Sequence, residues 1–239
     1  AFIAIAIAIA VLMPSPVTSA LGLAPTRAEL DLAGAYEASV DLRIDGRADA
    51  ETLVDLALLA RDADALSPTD GEGFAIDVQP PQLVIPPGGT GRARITARRK
   101  GPLAASRSFH LVVEHLAVGV TDEAAAARQQ VDFLTRIHLP IHVAGTGRPA
   151  LDWAIVNDGE TRVLKLSNHG LRYQRLGALR AQVASGDDAV ETPWLEGPAL
   201  AQRIGSDALL PGQRLYLSLD DHEIPMGRLA FLPVDERRP

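Results

Sequence analysis

Residues 131–143 read Val-Asp-Phe-Leu-Thr-Arg-Ile-His-Leu-Pro-Ile-His-Val. The odd positions are apolar except for one threonine, and the even positions include Asp132, Arg136, His138 and His142. Because successive side chains of a strand point to opposite faces, this pattern predicts an apolar ridge backed by a polar, basic face. At about 3.3 Å per residue the strand would span roughly 40 Å, about twice the usual length. Part of the apolar ridge is therefore available to contact a partner. The alternative is a long strand that lies wholly in the core of its own domain.

The rest of the chain consists of short apolar alternations separated by turn residues. Residues 53–59 fit either a strand or a short helix, and residues 117–130 form a polar, small-residue loop. Asn157-Asp158-Gly159 between two apolar runs predicts a hairpin turn. The other predicted strands cover residues 40–44, 74–78, 83–85, 92–95, 109–113, 151–156, 163–166, 176–183, 215–217 and 229–234. This spacing predicts an all-β protein of two immunoglobulin-like β-sandwich domains.

Two composition shifts divide the chain. Residues 1–13 are an uninterrupted apolar run, followed by two prolines and the small residues Thr18-Ser19-Ala20. This pattern is typical of a secretory signal peptide, so we expect export with cleavage near Ala20; a retained anchor is the alternative. Residues 144–149 cluster Gly and Pro and predict a linker. We therefore expect a signal peptide over residues 1–20 and domains over residues 21–145 and 150–239.

Composition and motifs exclude several function classes. With 23 Lys and Arg against 30 Asp and Glu, the net charge is −7, which disfavours nucleic-acid binding. The chain has no cysteine, so disulfides and thiolate metal sites are impossible. Ser108, Ser167 and Ser218 lack a nucleophile-elbow context, so we expect no enzyme and no catalytic residue. His138 and His142 would lie about 13 Å apart on a strand, too far to share an ion, and residues 220–223 could bind a cation but fit a solvated turn better, so no metal is expected. No Gly-rich phosphate loop is present, and no cofactor is expected.

Several segments resemble, in collinear order, the periplasmic pilus-assembly chaperones of the PapD-like family. In the first predicted domain the similar segments are Pro25-Thr-Arg-Ala28, Phe74-Ala-Ile-Asp-Val-Gln-Pro-Pro81 with Leu83, Pro86-Pro-Gly88, Arg92-Ala-Arg-Ile95, Arg107-Ser-Phe-His-Leu-Val-Val-Glu-His-Leu116 and Thr135-Arg-Ile-His-Leu139. In the second domain they are Leu166-Ser-Asn168 and Leu210-Pro-Gly212. The resemblance covers essentially the whole chain after residue 20.

The resemblance implies a chaperone that captures pilin or fimbrial subunits in the periplasm and delivers them to an outer-membrane usher. Such a subunit lacks the last strand of its sandwich, and the chaperone supplies a strand with alternating apolar side chains. By this resemblance the donor strand comprises Val131 and Phe133, with Gln129 at the next outward position, where the family usually has an apolar residue. A self-capping dimer of the free chaperone is also compatible with it.

The resemblance further implies a basic pair that binds the C-terminal carboxylate of the subunit. Arg27 matches the first member. The second member aligns with His138, but Arg136 lies two residues earlier on the same predicted face and is charged at any physiological pH, so the sequence leaves both open and favours Arg136. Arg107 and the residues around His115 also depart from the family pattern.

Two rival functions are compatible with an exported two-domain sandwich. One is an adhesion or carbohydrate-binding module, which a groove lined by Trp153 or Trp194 would favour, although both tryptophans are expected in or beside the second core. The other is a secreted hydrolase, which a pocket containing Asp221 and His222 would favour, although residues 220–223 are expected to form a solvated turn. We expect no nucleic-acid and no small-molecule partner.

Overall fold

The computed structural model describes residues 21–47, 51–61, 66–68, 73–116, 135–159, 161–184, 192–219 and 228–233. Most of these residues lie in strands, because short runs rich in apolar and β-branched residues alternate with turn residues. No helix in these ranges is long and apolar enough to cross a membrane. The elements form two sandwiches in chain order.

Among the described residues, ten strands build the first sandwich: β1 (Gly22–Ala24), β2 (Ala28–Asp31), β3 (Glu37–Asp45), β4 (Thr52–Arg61), β5 (Leu66–Pro68), β6 (Phe74–Gln79), β7 (Gln82–Ile85), β8 (Thr90–Arg99), β9 (Arg107–Leu116) and β10 (Arg136–Ala144). One sheet has the order β1-β3-β8-β6. The other has the order β2-β10-β9-β4-β5, and β7 also pairs with β4. All of these pairs are antiparallel except β2 with β10, which is parallel.

The described part of the second sandwich contains eight strands and one helix: β11 (Leu151–Asp158), β12 (Thr161–Asn168), β13 (Gln174–Arg175), β14 (Leu179–Ala184), β15 (Thr192–Glu196), α1 (Gly197–Ile204), β16 (Ala208–Leu209), β17 (Arg214–Leu219) and β18 (Arg228–Pro233). Its two main sheets have the orders β11-β12-β17 and β15-β14-β18. The short strands β13 and β16 pair with each other. A single 3₁₀ turn, Leu176–Ala178, precedes β14.

Each sandwich has its own apolar core. Alternate residues of β3, β9 and β10, such as Leu42, Leu111 and Leu139, fill the first. Leu164 and Leu200 are fully buried in the second. A small third cluster joins the two sandwiches and consists of Ala144, Tyr173, Ala208 and Leu210. The two cores lie on either side of the predicted linker, and the exact domain limits stay predictions.

Most predicted strands are confirmed, including the hairpin of β11 and β12, where Gly159 adopts a φ of +62°. The ambiguous run of residues 53–59 belongs to strand β4. The strand predicted over residues 176–183 was wrong at its start, because the first three of these residues form the 3₁₀ turn. Helix α1 was not predicted, since eight residues are too few for a convincing helical period. Strand β10 is described from Arg136, and residues 131–134 lie outside the described residues.

Candidate functional site

One edge of strand β10 has no neighbour in the described part of the chain. Strand β2 pairs with β10 only over Ile141–Ala144, so Arg136–Pro140 has β9 on one side and no described strand on the other. The backbone N–H of His115 donates to the carbonyl of Thr135 (2.9 Å), and that of Leu32 donates to the carbonyl of Ala144 (3.0 Å).

These two bonds show toward which neighbour each residue of β10 directs its backbone N–H and C=O groups. Odd-numbered residues face β9 and even-numbered residues face the opposite edge, because alternate residues of a strand bond to opposite neighbours. Arg136 and His138 therefore direct their N–H and C=O groups to the open edge. Pro140, which has no N–H, is at a position typical of an edge. The segment is a template for one further strand.

Arg27 lies where this open edge ends. It immediately precedes β2, and because Ala28 is opposite Ile141 in the parallel register, Arg27 lies opposite Pro140. Its side chain is 36% exposed, and its Nε atom is 3.3 Å from Oε1 of Glu29. The same oxygen of Glu29 is 3.2 Å from Nε of Arg175 in the second sandwich. The single carboxylate of Glu29 thus pairs with the guanidinium groups of both Arg27 and Arg175, so these three side chains carry a net positive charge beside the end of the edge.

Arg136 and His138 have different surroundings on the same face of β10. The Nη2 atom of Arg136 is 2.8 Å from Oε1 of Glu114 on β9, and its side chain is 60% exposed. The ring of His138 lies edge-to-face with the ring of His110, with centroids 5.7 Å apart. The structure therefore brings Arg27, Arg136 and His138 to one face, and their role as a carboxylate anchor stays a prediction.

His110 adds a group that the sequence pattern alone did not single out. Its Nδ1 atom is shielded from solvent and has no hydrogen-bond partner among the described residues. Burial lowers the pKa of His110, and the charges of Arg61 and His138 lower it further. The alternation of polar Ser108, His110 and Glu114 with apolar neighbours in β9 was the sequence signal that could have placed it on this face.

A buried polar network joins the two sandwiches next to this face. The ring of His142 is fully buried; its Nδ1 lies 2.8 Å from Oγ of Ser108, and its Nε2 lies 2.8 Å from Oδ2 of Asp207. Arg61 donates from Nη1 to Oδ1 of Asp207 (3.0 Å). The ring of Tyr173 stacks on His142 at 4.5 Å. This network fixes the second sandwich against the sheet face that carries His138.

The network shifts the pKa of two of its members. Burial alone would raise the pKa of Asp207, but the hydrogen bonds and charges of His142 and Arg61 outweigh burial and hold it well below its usual range. Burial, together with the charge of Glu29, raises the pKa of Tyr173 to about 12. Sequence reasoning missed Arg61, Asp207 and Tyr173, because no local pattern indicates a contact between two domains.

Ser108, His142 and Asp207 have the residue types and spacing of a hydrolase triad. Ser108 is only 5% exposed and His142 is fully buried, however, so no substrate can reach the hydroxyl in this arrangement. Among the described residues, no group of three or more His, Cys, Asp or Glu side chains could hold a metal ion. The triad-like contact is therefore a structural link between domains.

Several predicted features lie outside the described residues. These are the donor-strand residues Gln129, Val131 and Phe133, the predicted signal peptide over residues 1–20, and the acidic turn of residues 220–223. They stay predictions. Trp153 packs edge-to-face on Phe231, and Trp194 packs against the second core, as expected.

No family model and no curated protein sequence matches the chain. Solved structures match it over most of its length. A chain of the CsuC–CsuE chaperone-tip adhesion subunit pre-assembly complex, from the archaic chaperone-usher Csu pili of Acinetobacter baumannii, is 16% identical, with a TM-score of 0.56 over 90% of this chain and 93% of that chain. The E. coli chaperone DraB is 17% identical, with a TM-score of 0.52 over 89% and 90%.

The class 5 fimbriae chaperone CfaA is 10% identical, with a TM-score of 0.52 over 89% of this chain and 98% of that chain. At these identities the likeness concerns the fold. The predicted all-β architecture is confirmed: the chain has the fold of the fimbrial chaperones, two immunoglobulin-like β-sandwich domains.

Proposed function

We propose that this chain is a periplasmic chaperone that captures pilin or fimbrial subunits by donating a strand to their incomplete sandwich. The observation that carries the proposal is the open edge of β10, which ends beside Arg27. A partner strand can extend along this edge only as far as Pro140, because β2 occupies the same side from Ile141 onward. The edge therefore has a fixed end point, which sets the register of a bound strand.

The polarity of the bound strand follows from the charges at that end point. A strand that runs parallel to β10, as β2 does, would finish with its C-terminus next to Arg27. A terminal carboxylate held there by an ionised donor gains about 1.5–3 kcal/mol per hydrogen bond. The net positive charge around Glu29 supports such a carboxylate.

The apolar part of the interaction would come from the residues that precede β10. In β10 the odd residues Leu139 and Ile141 fill the core of this chain. Continued upstream, the same alternation assigns Val131 and Phe133 to the core of the partner, with Gln129 as the outermost contact. Two such side chains contribute about 1.5–3 kcal/mol each, so main-chain pairing along the open edge must contribute as well.

In this role the chain is not an enzyme, and it passes the captured subunit to an outer-membrane usher. The likeness in fold to a chain of CsuC–CsuE, a complex of a chaperone with a tip adhesion subunit, supports a subunit partner. The rival adhesion or carbohydrate-binding function has less support, because Trp153 and Trp194 pack against the second core.

Co-expression with an exported pilin-like protein, followed by pull-down, tests the proposal. We expect the wild-type chain to retain the pilin. Arg136→Pro removes both the ion pair with Glu114 and one outward N–H, whereas Arg136→Gln removes only the ion pair. Loss of capture by Arg136→Pro together with retention by Arg136→Gln would support strand addition at this edge.

Equal capture by both Arg136 variants, each folded by circular dichroism, would contradict strand addition at this edge. Failure of the wild-type chain to retain any exported pilin-like protein would contradict the chaperone function as a whole.

A further inference from the structure

The linker of residues 144–149 is bonded to the first sandwich by its backbone. The N–H of Thr146 donates to the carbonyl of Leu103, and that of Gly147 donates to the carbonyl of Ala104, both at 2.9 Å. Both acceptors precede β9 and belong to the first sandwich. A segment that clusters Gly and Pro is ordinarily a flexible boundary between domains, so this linker lacks the freedom that its composition predicts.

The same linker is bonded to the second sandwich through the turn that follows β12. The carbonyl of Arg148 accepts from the N–H groups of Leu171 (3.1 Å) and Arg172 (3.3 Å). The turn also bonds directly to the first sandwich: the N–H of Ser106 donates to the carbonyl of Leu171 (2.7 Å), and the N–H of Tyr173 donates to Oγ of Ser106 (2.8 Å). The three backbone segments that meet here, called the clasp, are residues 103–106, 145–150 and 168–173.

Glycines of the clasp are required for this close approach. A Cβ atom at Gly147 would lie 2.6 Å from Cβ of Leu171 and 2.8 Å from the carbonyl oxygen of Ala104. A Cβ atom at Gly170 would overlap the carbonyl oxygen of Arg148. Neither glycine has a left-handed φ, so each serves close packing of backbones and not an unusual backbone conformation.

The side chain of Asn168 holds the second half of the clasp in shape. It is fully buried, and its Oδ1 atom accepts from the N–H groups of Ala150 (3.1 Å) and Gly170 (3.0 Å). Its Nδ2 atom donates to the carbonyls of Arg172 (2.7 Å) and Leu209 (3.2 Å). Because two of these neighbours are donors and two are acceptors, only an amide satisfies all four; a carboxylate has no proton to donate.

We propose that Asn168 and Gly147 position the second sandwich through the clasp, so that its place beside the open edge of β10 is set before a partner arrives. The second sandwich borders the end of that edge, because Arg175 pairs with Glu29 on β2. The benefit for capture rests on the proposed function: a joint that is already fixed leaves less conformational freedom to be lost on binding.

Distance measurements between two spin labels test the clasp on the full chain. The chain has no cysteine, so Ser39→Cys on β3 and Ser218→Cys on β17, both at exposed positions, supply the only labelling sites. With the native clasp we expect one narrow distance peak, which stays in place when a captured pilin is bound. Gly147→Ala should make the distribution about twofold wider, because the added Cβ forces the linker away from both sandwiches. Gly101→Ala is the matched control, since a Cβ atom there would meet no atom within 4 Å.

Tryptophan fluorescence separates positioning from folding. The only two tryptophans, Trp153 and Trp194, pack against the core of the second sandwich, so their emission without denaturant reports whether that sandwich is folded. Gly147→Ala and Asn168→Ala should both keep the wild-type emission while their distance distributions widen. If the emission of Asn168→Ala changes, Asn168 has a role in folding instead and its part in the proposal is overturned. Gly147→Ala then decides whether the clasp positions the second sandwich.

Pull-down of a co-expressed pilin measures the consequence for capture. Gly147→Ala should retain severalfold less pilin than either the wild type or Gly101→Ala. Equal capture by the two glycine variants, with a widened distribution for Gly147→Ala, would overturn the role of the clasp in capture.

Failure of the clasp and failure of the chaperone function are distinguishable. A broad distribution with the native clasp, a peak that moves when pilin binds, or an unchanged narrow peak in Gly147→Ala would overturn the clasp and leave the chaperone function standing. If the wild-type chain captures no exported pilin-like protein, the proposed function fails, whereas a narrow peak that widens in Gly147→Ala would still support the clasp.

Discussion

In the proposed function, Arg27 is the residue on which the register of a captured strand depends most. It lies at the end of the open edge, and its guanidinium shares Glu29 with Arg175. We expect Arg27→Ala to weaken subunit capture about tenfold or more, because a charge-assisted bond to the terminal carboxylate is lost. Its partly exposed side chain contributes little to folding, so the thermal midpoint should not change. Pull-down of a co-expressed pilin, with thermal unfolding of the same samples, measures both.

Arg92→Ala is the matched control for Arg27. Arg92 is exposed on β8, in the opposite sheet of the first sandwich, and should be replaceable without effect on capture. Normal recovery of the pilin with Arg27→Ala would remove Arg27 from the anchor. If the thermal midpoint of Arg27→Ala also fell far enough to account for the lost capture, the result would assign Arg27 a role in folding instead.

For single residues, the sequence predicts on which face of a strand a side chain lies. It does not predict which residues of the other sandwich cover that face. The even positions of residues 131–143 were expected to form one polar face, and Arg136, His138 and His142 do share a face of β10. His142 is nevertheless fully buried, because Asp207 and Tyr173 of the second sandwich lie over it. Alternation along a strand carries no information about such a distant contact.

At the scale of elements, strands with strict alternation were predictable and continuous apolar runs were not. Residues 40–44 alternate and lie within β3, whereas residues 53–59 lack alternation and fitted a helix equally well before the sheet fixed them as β4. Helix α1 did have sequence signals at its ends, namely Pro198 in its first turn and Gly205 directly after its last residue. These signals were outweighed by its short length.

The end of helix α1 offers a test of a backbone requirement. Gly205 adopts the left-handed conformation, with a φ of +72°, and its N–H bonds back to the carbonyls of Ala201 and Gln202. A Cβ atom at this position would meet no atom within 4 Å, so only the backbone conformation opposes a side chain. We expect Gly205→Ala to lower the free energy of unfolding by about 1 kcal/mol, measured by urea denaturation.

Gly34→Ala is the control for this prediction. A Cβ atom at Gly34 would also meet only open space, but the backbone there has no left-handed φ, so alanine should leave stability unchanged or slightly raised. Equal effects of the two substitutions would show that the left-handed cap does not contribute to stability.

At the scale of the whole molecule, the sequence predicts two sandwiches but not how they meet. The strand spacing and the Gly- and Pro-containing segment of residues 144–149 were sufficient for the architecture. The contact between sandwiches depends on residues far apart in the chain. The N–H of Ser106 donates to the carbonyl of Leu171 (2.7 Å), and Arg61 reaches Asp207 across 146 positions. No local pattern indicates such pairs.

The interface network should make stability depend on acid pH through Asp207. Because the pKa of Asp207 in the folded protein is held below its usual value, its ionised form stabilises the fold fully above about pH 4. This contribution is lost progressively as the pH falls below that value toward the depressed pKa. Asp207→Asn should therefore be less stable at neutral pH by about 1–3 kcal/mol, because Arg61 and His142 lose a charged acceptor.

Urea denaturation between about pH 2 and 7 measures both consequences. The Asp207→Asn variant should lose less stability than the wild type as the pH falls below about 4, so the two curves converge in acid. Asp152→Asn is the control: Asp152 is exposed on β11, and this variant should follow the wild-type curve. Parallel curves for wild type and Asp207→Asn would show that this carboxylate does not stabilise the contact between sandwiches. The relative position of the two sandwiches would then depend on the remaining contacts between them, which include the apolar cluster around Tyr173 and Leu210, the Ser106–Leu171 hydrogen bond and the Glu29–Arg175 ion pair.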